Sequence, residues 1–303
     1  MKKFNLVLSG GGVRSYAHIG VYKYCFEAGI EFDEITCISG ASLIAPFIAL
    51  RKNPADIIEL FKKEKISRKL FPFYFVPDKF ECLFFQPSTY KLGVWLEKQF
   101  TPQELAMIET RSRDEGTSPL LHIMATRNPI CGTKVLYTDM LKITDLKNAV
   151  AASCAISGIF KEHKVGDCTY IDGGHWNNCP LFFNFENSFL PVLGVNLGYV
   201  GLKDESKGRI SKIIRGFEIN FFARVQEDIE KWNFEKSCKK RGELIVVNPT
   251  VWNVGSLDFN LKEWQIDDMI NAGYNAAKEK LAIKNPPTLS LRGSETTEAI
   301  SQP

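Results

Sequence analysis

Phe4-Asn5-Leu6-Val7-Leu8-Ser9-Gly10-Gly11-Gly12-Val13-Arg14 sets the pattern from which the rest of the chain can be read. A short apolar run meets a glycine cluster, and a helical pattern follows over Ser15–Ala28, stopped by Gly29. Short, continuous apolar runs suit strands buried on both faces. A glycine just past a periodic segment is a helix stop. The same alternation recurs outward. Ile35–Ile38 reads as a second strand and Ser42–Leu50 as the helix after it. Asn53-Pro54 opens another helix, with Asn as cap and Pro in the first turn. Leu120–Ala125 and Val192–Val195 read as further strands, and Trp264–Leu281 as an amphipathic helix. Strands alternating with helices predict an α/β fold with a mainly parallel central sheet.

The bulk properties narrow the field. A chain of 303 residues with 45% apolar and 24% charged side chains can bury a sizeable core. A net charge of +3 is too weak to argue for a nucleic-acid partner, although it permits approach to an anionic membrane surface. There is no apolar run long enough to cross a bilayer. The basic, then apolar, N-terminus lacks a cleavage signal and reads as the first strand. The eight cysteines contain no Cys-x-x-Cys pair. They read as free thiols in a reducing compartment, which predicts a cytoplasmic protein with no metal site. Residues 1–284 are expected to form one domain. Asn285–Pro303, rich in Pro, Ser and Thr, is expected to be a disordered tail.

Three motifs carry the chemistry. Gly10-Gly11-Gly12-Val13-Arg14 lies between a strand and a helix, where glycine amides can face an anion without Cβ interference. It could cradle a phosphate, hold an oxyanion, or be a tight turn. Gly40-Ala41-Ser42-Leu43-Ile44 lies at the second strand–helix junction. A sharp turn there would lift a serine hydroxyl above the sheet edge, and a plain N-cap serine would look the same. Asp172-Gly173-Gly174 reads by itself as a β-turn.

In combination, order and spacing resemble the patatin-like phospholipase family. That family has an early Gly-Gly-Gly-x-Arg loop, a Gly-x-Ser-x-Gly elbow some 25 to 30 residues later, and a distant Asp-Gly-Gly or Asp-Gly-Ala. The flanks Ala17-His18-Ile19-Gly20-Val21 and Ala151-Ala152-Ser153-Cys154-Ala155-Ile156-Ser157-Gly158-Ile159-Phe160 also look like the family's. The resemblance runs from Phe4 to Pro180. It implies a three-layer α/β/α domain acting as a lipid acyl hydrolase on a lipid or phospholipid substrate at a membrane surface, without a cofactor. It further implies Ser42 as nucleophile and Asp172 as general base, with Gly40, Gly173 and Gly174 in support. Gly10, Gly11, Gly12, Val13 and Arg14 would form the oxyanion hole. Two positions depart from the pattern: Ile44 replaces a small residue, and Ser157 stands where the family usually has proline.

A Ser-His-Asp triad fits poorly, because α/β-hydrolases place the histidine last in the chain. None of the four histidines (His18, His122, His163, His175) follows His175, which is only three residues after Asp172. His18 and His122 read as core residues and His163 as exposed. A carboxylate is a weak base for a hydroxyl, since free Asp titrates near 4. Oxyanion stabilisation must then supply much of the rate, about 3–4 kcal/mol per well-placed donor.

Two other readings stay open. One is a catalytically inactive patatin-like binding scaffold. The other is a nucleotide-binding protein using the Gly10–Gly12 loop with Asp33 as its acidic partner, although Asp33 precedes the second strand where that fold needs an acid at its end. The aromatic stretch from Leu70 to Phe85 reads equally as a lid over the acyl site or as core. The region after Pro180 resembles nothing specific and leaves room for a small-molecule or protein activator. Export as an effector is compatible with the family's range.

Overall fold

The structure is a computed structural model describing residues 2–64, 86–110, 119–128, 137–183, 185, 189–198, 209–251 and 254–282, with the side chains of 209–215 excepted. The aromatic stretch from Leu70 to Phe85 and the tail Asn285–Pro303 lie outside the described residues.

Eight strands form one sheet: β1 Lys2–Leu8, β2 Ile30–Ile38, β3 Leu120–Asn128, β4 Tyr137–Asp139, β5 His163–Val165, β6 Cys168–Asp172, β7 Val192–Val195 and β8 Leu244–Val247. Their order is β5-β6-β3-β2-β1-β7-β8, with β4 also paired to β3. The run from β3 through β2, β1 and β7 to β8 is parallel; β4, β5 and β6 join antiparallel. The helices are α1 Tyr16–Glu27, α2 Ala45–Ala49, α3 Pro54–Glu64, α4 Tyr90–Glu97, α5 Pro102–Thr110, α6 Leu146–Ser153, α7 Arg209–Ser237 and α8 Glu263–Ala282.

Alternation along β1 explains the layers. Leu6 and Leu8 join a large core with residues of α1, α2, α3, α4, α6 and α8. Val7 points to the other face, into a smaller core with Val225 and Trp232 of α7. Successive side chains of a strand face opposite ways, so a strand apolar at every position needs cover on both sides. The three-layer α/β/α expectation therefore holds. All four predicted strands are present, and α1 ends at Glu27, two residues before Gly29, which takes φ +65°. Asn53 Oδ1 accepts from Ala55 N at 2.9 Å, the expected cap of α3.

Several elements were not foreseen. The 29-residue α7 is polar on average and lacks a clean apolar stripe in sequence. Strands β4 and β5 are three residues long, too short for a periodicity to show. Among the described residues, all cysteines are free, as expected, although Cys238 is exposed. No helix there is long and apolar enough to cross a membrane.

Candidate active site

β2 ends at Ile38, and the next residue, Ser39, turns the chain sharply into a short 3-10 turn, Ser39–Leu43. Ser39 has φ +53°, a left-handed backbone at a non-glycine residue. Such a conformation costs about 1–3 kcal/mol and persists only where its surroundings enforce it. Here they do. The Ser39 N–H donates to Ser153 Oγ (2.9 Å), and Ser153 Oγ donates to the Met124 carbonyl (2.7 Å). Ser153, fully buried at the end of α6, thus bridges the end of β2 to β3 where the ladder stops.

Sheet register brings in the acid. Ile38 lies opposite Met124, and Ala125 lies opposite Asp172. Ser39 is therefore about level with Asp172, with β3 between them. Two strand spacings are roughly 10 Å between backbones, a gap that two facing side chains can close. Asp172 is buried. Its Oδ1 accepts from Gly174 N at 2.7 Å, the bond that makes the Asp-Gly-Gly turn. Its Oδ2 makes no regular hydrogen bond, while the Ser39 hydroxyl is close enough to lower the acid's pKa. Burial wins over both interactions and pushes Asp172 up to about 7.

The structure does not bring Ser42 to this carboxyl. Ser42 is fully buried. Its Oγ donates to the Ser39 carbonyl at 2.6 Å and lies 3.5 Å from Cys154 Sγ. The expected Ser42–Asp172 contact is thus replaced by one between Ser39 and Asp172. The reason is geometric: the strand runs to Ile38, so the elbow comes three residues earlier than a Gly40-x-Ser42 reading requires. A signal was available. Cys37-Ile38-Ser39-Gly40-Ala41 has small residues in both glycine positions of the elbow pattern. Gly40 follows the turn, and a Cβ there would come 2.5 Å from the Gly12 carbonyl, so its lack of a side chain lets the two loops touch. Gly173 likewise lets the Met124 carbonyl approach.

The glycine loop lies against Ser39: a Cβ on Gly10 would sit 3.2 Å from Ser39 Cβ. Its amides do not all serve the expected role. Gly10 N–H is held by the Asn178 carbonyl (3.0 Å), Val13 N–H by the Ser256 carbonyl (2.9 Å) and Arg14 N–H by the Gly11 carbonyl (3.0 Å). Among the described residues, the amides of Gly11 and Gly12 have no protein acceptor. Of the five residues expected from sequence as oxyanion donors, only Gly11 and Gly12 keep an amide without a protein acceptor, because a bonded amide cannot also receive an oxyanion. The Arg14 guanidinium is tied up in an ion pair with Glu218 of α7 (2.6 Å). Asn178, Glu218 and Ser256 also shape the site and carried no motif that would have flagged them, while Ser153 lay in the Ala151–Phe160 flank with no role attached.

Ser39 stands where two clefts meet, each enclosing about 630 Å³ including its open mouth. One is apolar, walled by Tyr16, Leu43, Ile44, Phe61, Leu92 and Phe160. Ile44, at the position usually held by a small residue, therefore narrows this cleft without sealing it. The other holds Gly11, Gly12, Arg14, Asp172, His175 and Glu218. Ser42 lines neither.

The histidines do not complete a triad. His175 shares the second cleft, but its Nε2 accepts from Ser157 N at 3.1 Å, and burial lowers its pKa. His18 is buried with Nε2 2.8 Å from the Ser9 carbonyl, and burial holds it down to about 4. At His122 burial works downward, but Asp139 (2.8 Å) and Glu34 outweigh it and raise the ring to about 9. His163, expected on an exposed loop, is half-buried on β5 and bonded to Asn148 (2.9 Å). The nucleotide reading also weakens, since Asp33 lies within β2, paired with Lys3, away from the strand's C-terminal end.

The chain is similar to several known proteins. The chain is 25% identical over 286 residues to the uncharacterized protein YqhO of Bacillus subtilis, covering 88% of this chain and 94% of that one. It is 28% identical over 182 residues to the probable lipid hydrolase 463L of Invertebrate iridescent virus 6, covering 58% of this chain and 61% of the viral one. The crystal structure of VipD from Legionella pneumophila shares the fold, with a TM-score of 0.57 and 14% identity over 93% of this chain and 67% of that one. A model of the patatin-like phospholipase family matches residues 6–183, from β1 through the Asp-Gly-Gly turn. By that match over more than half its length, the chain belongs to the patatin-like phospholipase family.

Proposed function

We propose that this protein is a lipid acyl hydrolase in which Ser39 is the nucleophile and Asp172 the general base. One observation carries the reading: a serine held in a left-handed backbone at a strand end shares a cleft with a buried carboxyl and two unengaged glycine amides. The family and the name of the viral relative support lipid hydrolysis in general.

The chemistry follows from the geometry. Ser39 Oγ attacks the ester carbonyl carbon while Asp172 takes the hydroxyl proton. Negative charge builds on the carbonyl oxygen, where the Gly11 and Gly12 amides stabilise it. The tetrahedral species collapses, the alcohol leaves with the proton from Asp172, and the acyl group stays on Ser39. Asp172 then deprotonates a water as it attacks the acyl carbon, the second tetrahedral species collapses with cleavage of the bond to Ser39 Oγ, Asp172 returns the proton to that oxygen, and the fatty acid leaves. The apolar cleft suits the acyl chain, and the polar cleft suits the departing alcohol.

An alkyl fluorophosphonate tests the assignment, with the adduct located by fragmentation mass spectrometry. The expected adduct is on Ser39. An adduct on Ser42 would restore the Gly40-Ala41-Ser42 elbow. No adduct and no turnover of a lipid panel would point to the inactive scaffold.

The glycine loop yields a second expectation. A Cβ on Gly12 would lie 2.0 Å from the Ser256 carbonyl, and the residue has φ +55°. Gly12→Ala must therefore displace backbone at the oxyanion donor, and kcat should fall by about 100-fold or more. Gly11 is extended (φ −171°), and its added Cβ would meet the Leu197 side chain at 3.0 Å. Gly11→Ala should be the milder change in both rate and melting temperature. The reverse order in ester kinetics would remove Gly12 from the oxyanion hole.

A further inference from the structure

We infer that Glu218, on α7, is a positioning residue that holds the oxyanion loop through Arg14. It lies outside the family match over residues 6–183, and the inference rests on the active-site reading above.

The three side chains close a ring. Arg14 Nη2 donates to Glu218 Oε1 (2.6 Å) and to Ser256 Oγ (2.8 Å), and Ser256 Oγ donates to the same Glu218 oxygen (3.0 Å). Both charged side chains are only 14% exposed. The ring is fastened to the loop by backbone bonds. Ser256 O accepts Val13 N–H, and Arg14 N–H closes onto the Gly11 carbonyl. Ser256 thus touches both the Arg14 guanidinium and the loop backbone, and the Arg14 N–H bond fixes the Gly11–Gly12 peptide that carries the Gly12 amide. Its Nε is buried without a partner, so Glu218 is its charge balance. A partly buried charge that loses its partner turns toward water or toward another charge. In this cleft the other carboxyl is Asp172.

Two effects should therefore follow when Glu218 is changed. The loop loses its alignment, which weakens transition-state binding more than ground-state binding. The cleft also keeps the Arg14 cation without its counter-charge, which favours ionised Asp172. Asp172, His175, Arg14 and Glu218 are the titratable groups lining this cleft.

The test compares Glu218→Ala and Glu218→Gln with wild type, using a soluble short-chain ester and fluorophosphonate labelling. Glu227→Gln serves as control, an exposed acid on the same helix. Glu218→Ala should lower kcat by about 10- to 100-fold with KM within about 2-fold, and slow labelling in proportion. Glu218→Gln, which keeps an acceptor but not the charge, should lose less and shift the acid limb of kcat/KM to lower pH. Unchanged kcat and labelling in both variants would overturn the inference. So would a lower melting temperature with wild-type kcat, or equal losses in the Glu227 control. Wild-type labelling at Ser39 tests the site itself, and only the ratios among variants test Glu218, so the two readings fail separately.

Discussion

Ser39→Ala is expected to lower ester hydrolysis by roughly four orders of magnitude or more, as loss of an acyl-enzyme nucleophile does. Ser42→Ala should leave most of the activity. The contrast is sharp because the two serines are three residues apart and both are buried or nearly so. The Ser42 hydroxyl holds the elbow together by donating to the Ser39 carbonyl at 2.6 Å. Deleting that donor removes one buried hydrogen bond to a carbonyl that also closes the 3-10 turn, at a cost of about 0.5–1.5 kcal/mol. Ser42→Ala should therefore melt several degrees lower while its kcat stays within about 10-fold of wild type. Purified variants assayed on a chromogenic ester, with thermal melts alongside, decide the matter. If Ser42→Ala is dead and Ser39→Ala active, the nucleophile has been misassigned.

Asp172→Asn should cost activity by about 10²- to 10⁴-fold and at the same time raise stability above neutral pH. Burial drives this carboxyl up to about 7 in the folded protein, against an ordinary value of 3.8. The base works only when ionised, so wild-type kcat/KM should fall as pH drops below about 7. A carboxyl whose folded pKa exceeds its unfolded one binds its proton more tightly when folded. The folded state then loses stability as pH rises from about 4 to about 7, and stays weakened above that. Asparagine removes the buried charge while keeping an oxygen for Gly174 N–H. The variant should thus melt higher than wild type at pH 8, with the gain fading as pH falls toward 4. A melting temperature at pH 8 equal to or below wild type would contradict the raised pKa.

Glycine loop, Asp-Gly-Gly turn and strands β1, β2, β3 and β7 were readable because each is a local pattern. Glycine between an apolar run and a helical one marks a turn wherever it occurs, and a strand buried on both faces is apolar at every position. α7 was not readable, because among its described side chains the buried apolar ones are Val225 and Trp232, too sparse to set a period.

The nucleophile marks the boundary between the two kinds of knowledge. The sequence motifs and their family resemblance determined the family and the fold class, and offered a candidate acid and a candidate serine elbow between Ile38 and Ile44. They could not say which serine stands at the turn, since Cys37-Ile38-Ser39-Gly40-Ala41 and Gly40-Ala41-Ser42-Leu43-Ile44 both approximate the pattern. That depends on where β2 stops, and β2 stops where its register with β3 ends at Ile38 opposite Met124. Likewise, which loop amides remain free depends on Asn178 and Ser256, and what holds Arg14 depends on Glu218, 204 residues away. Such pairings join residues distant in the chain through hydrogen bonds that leave no periodic trace in sequence. Only the packed tertiary structure decides them.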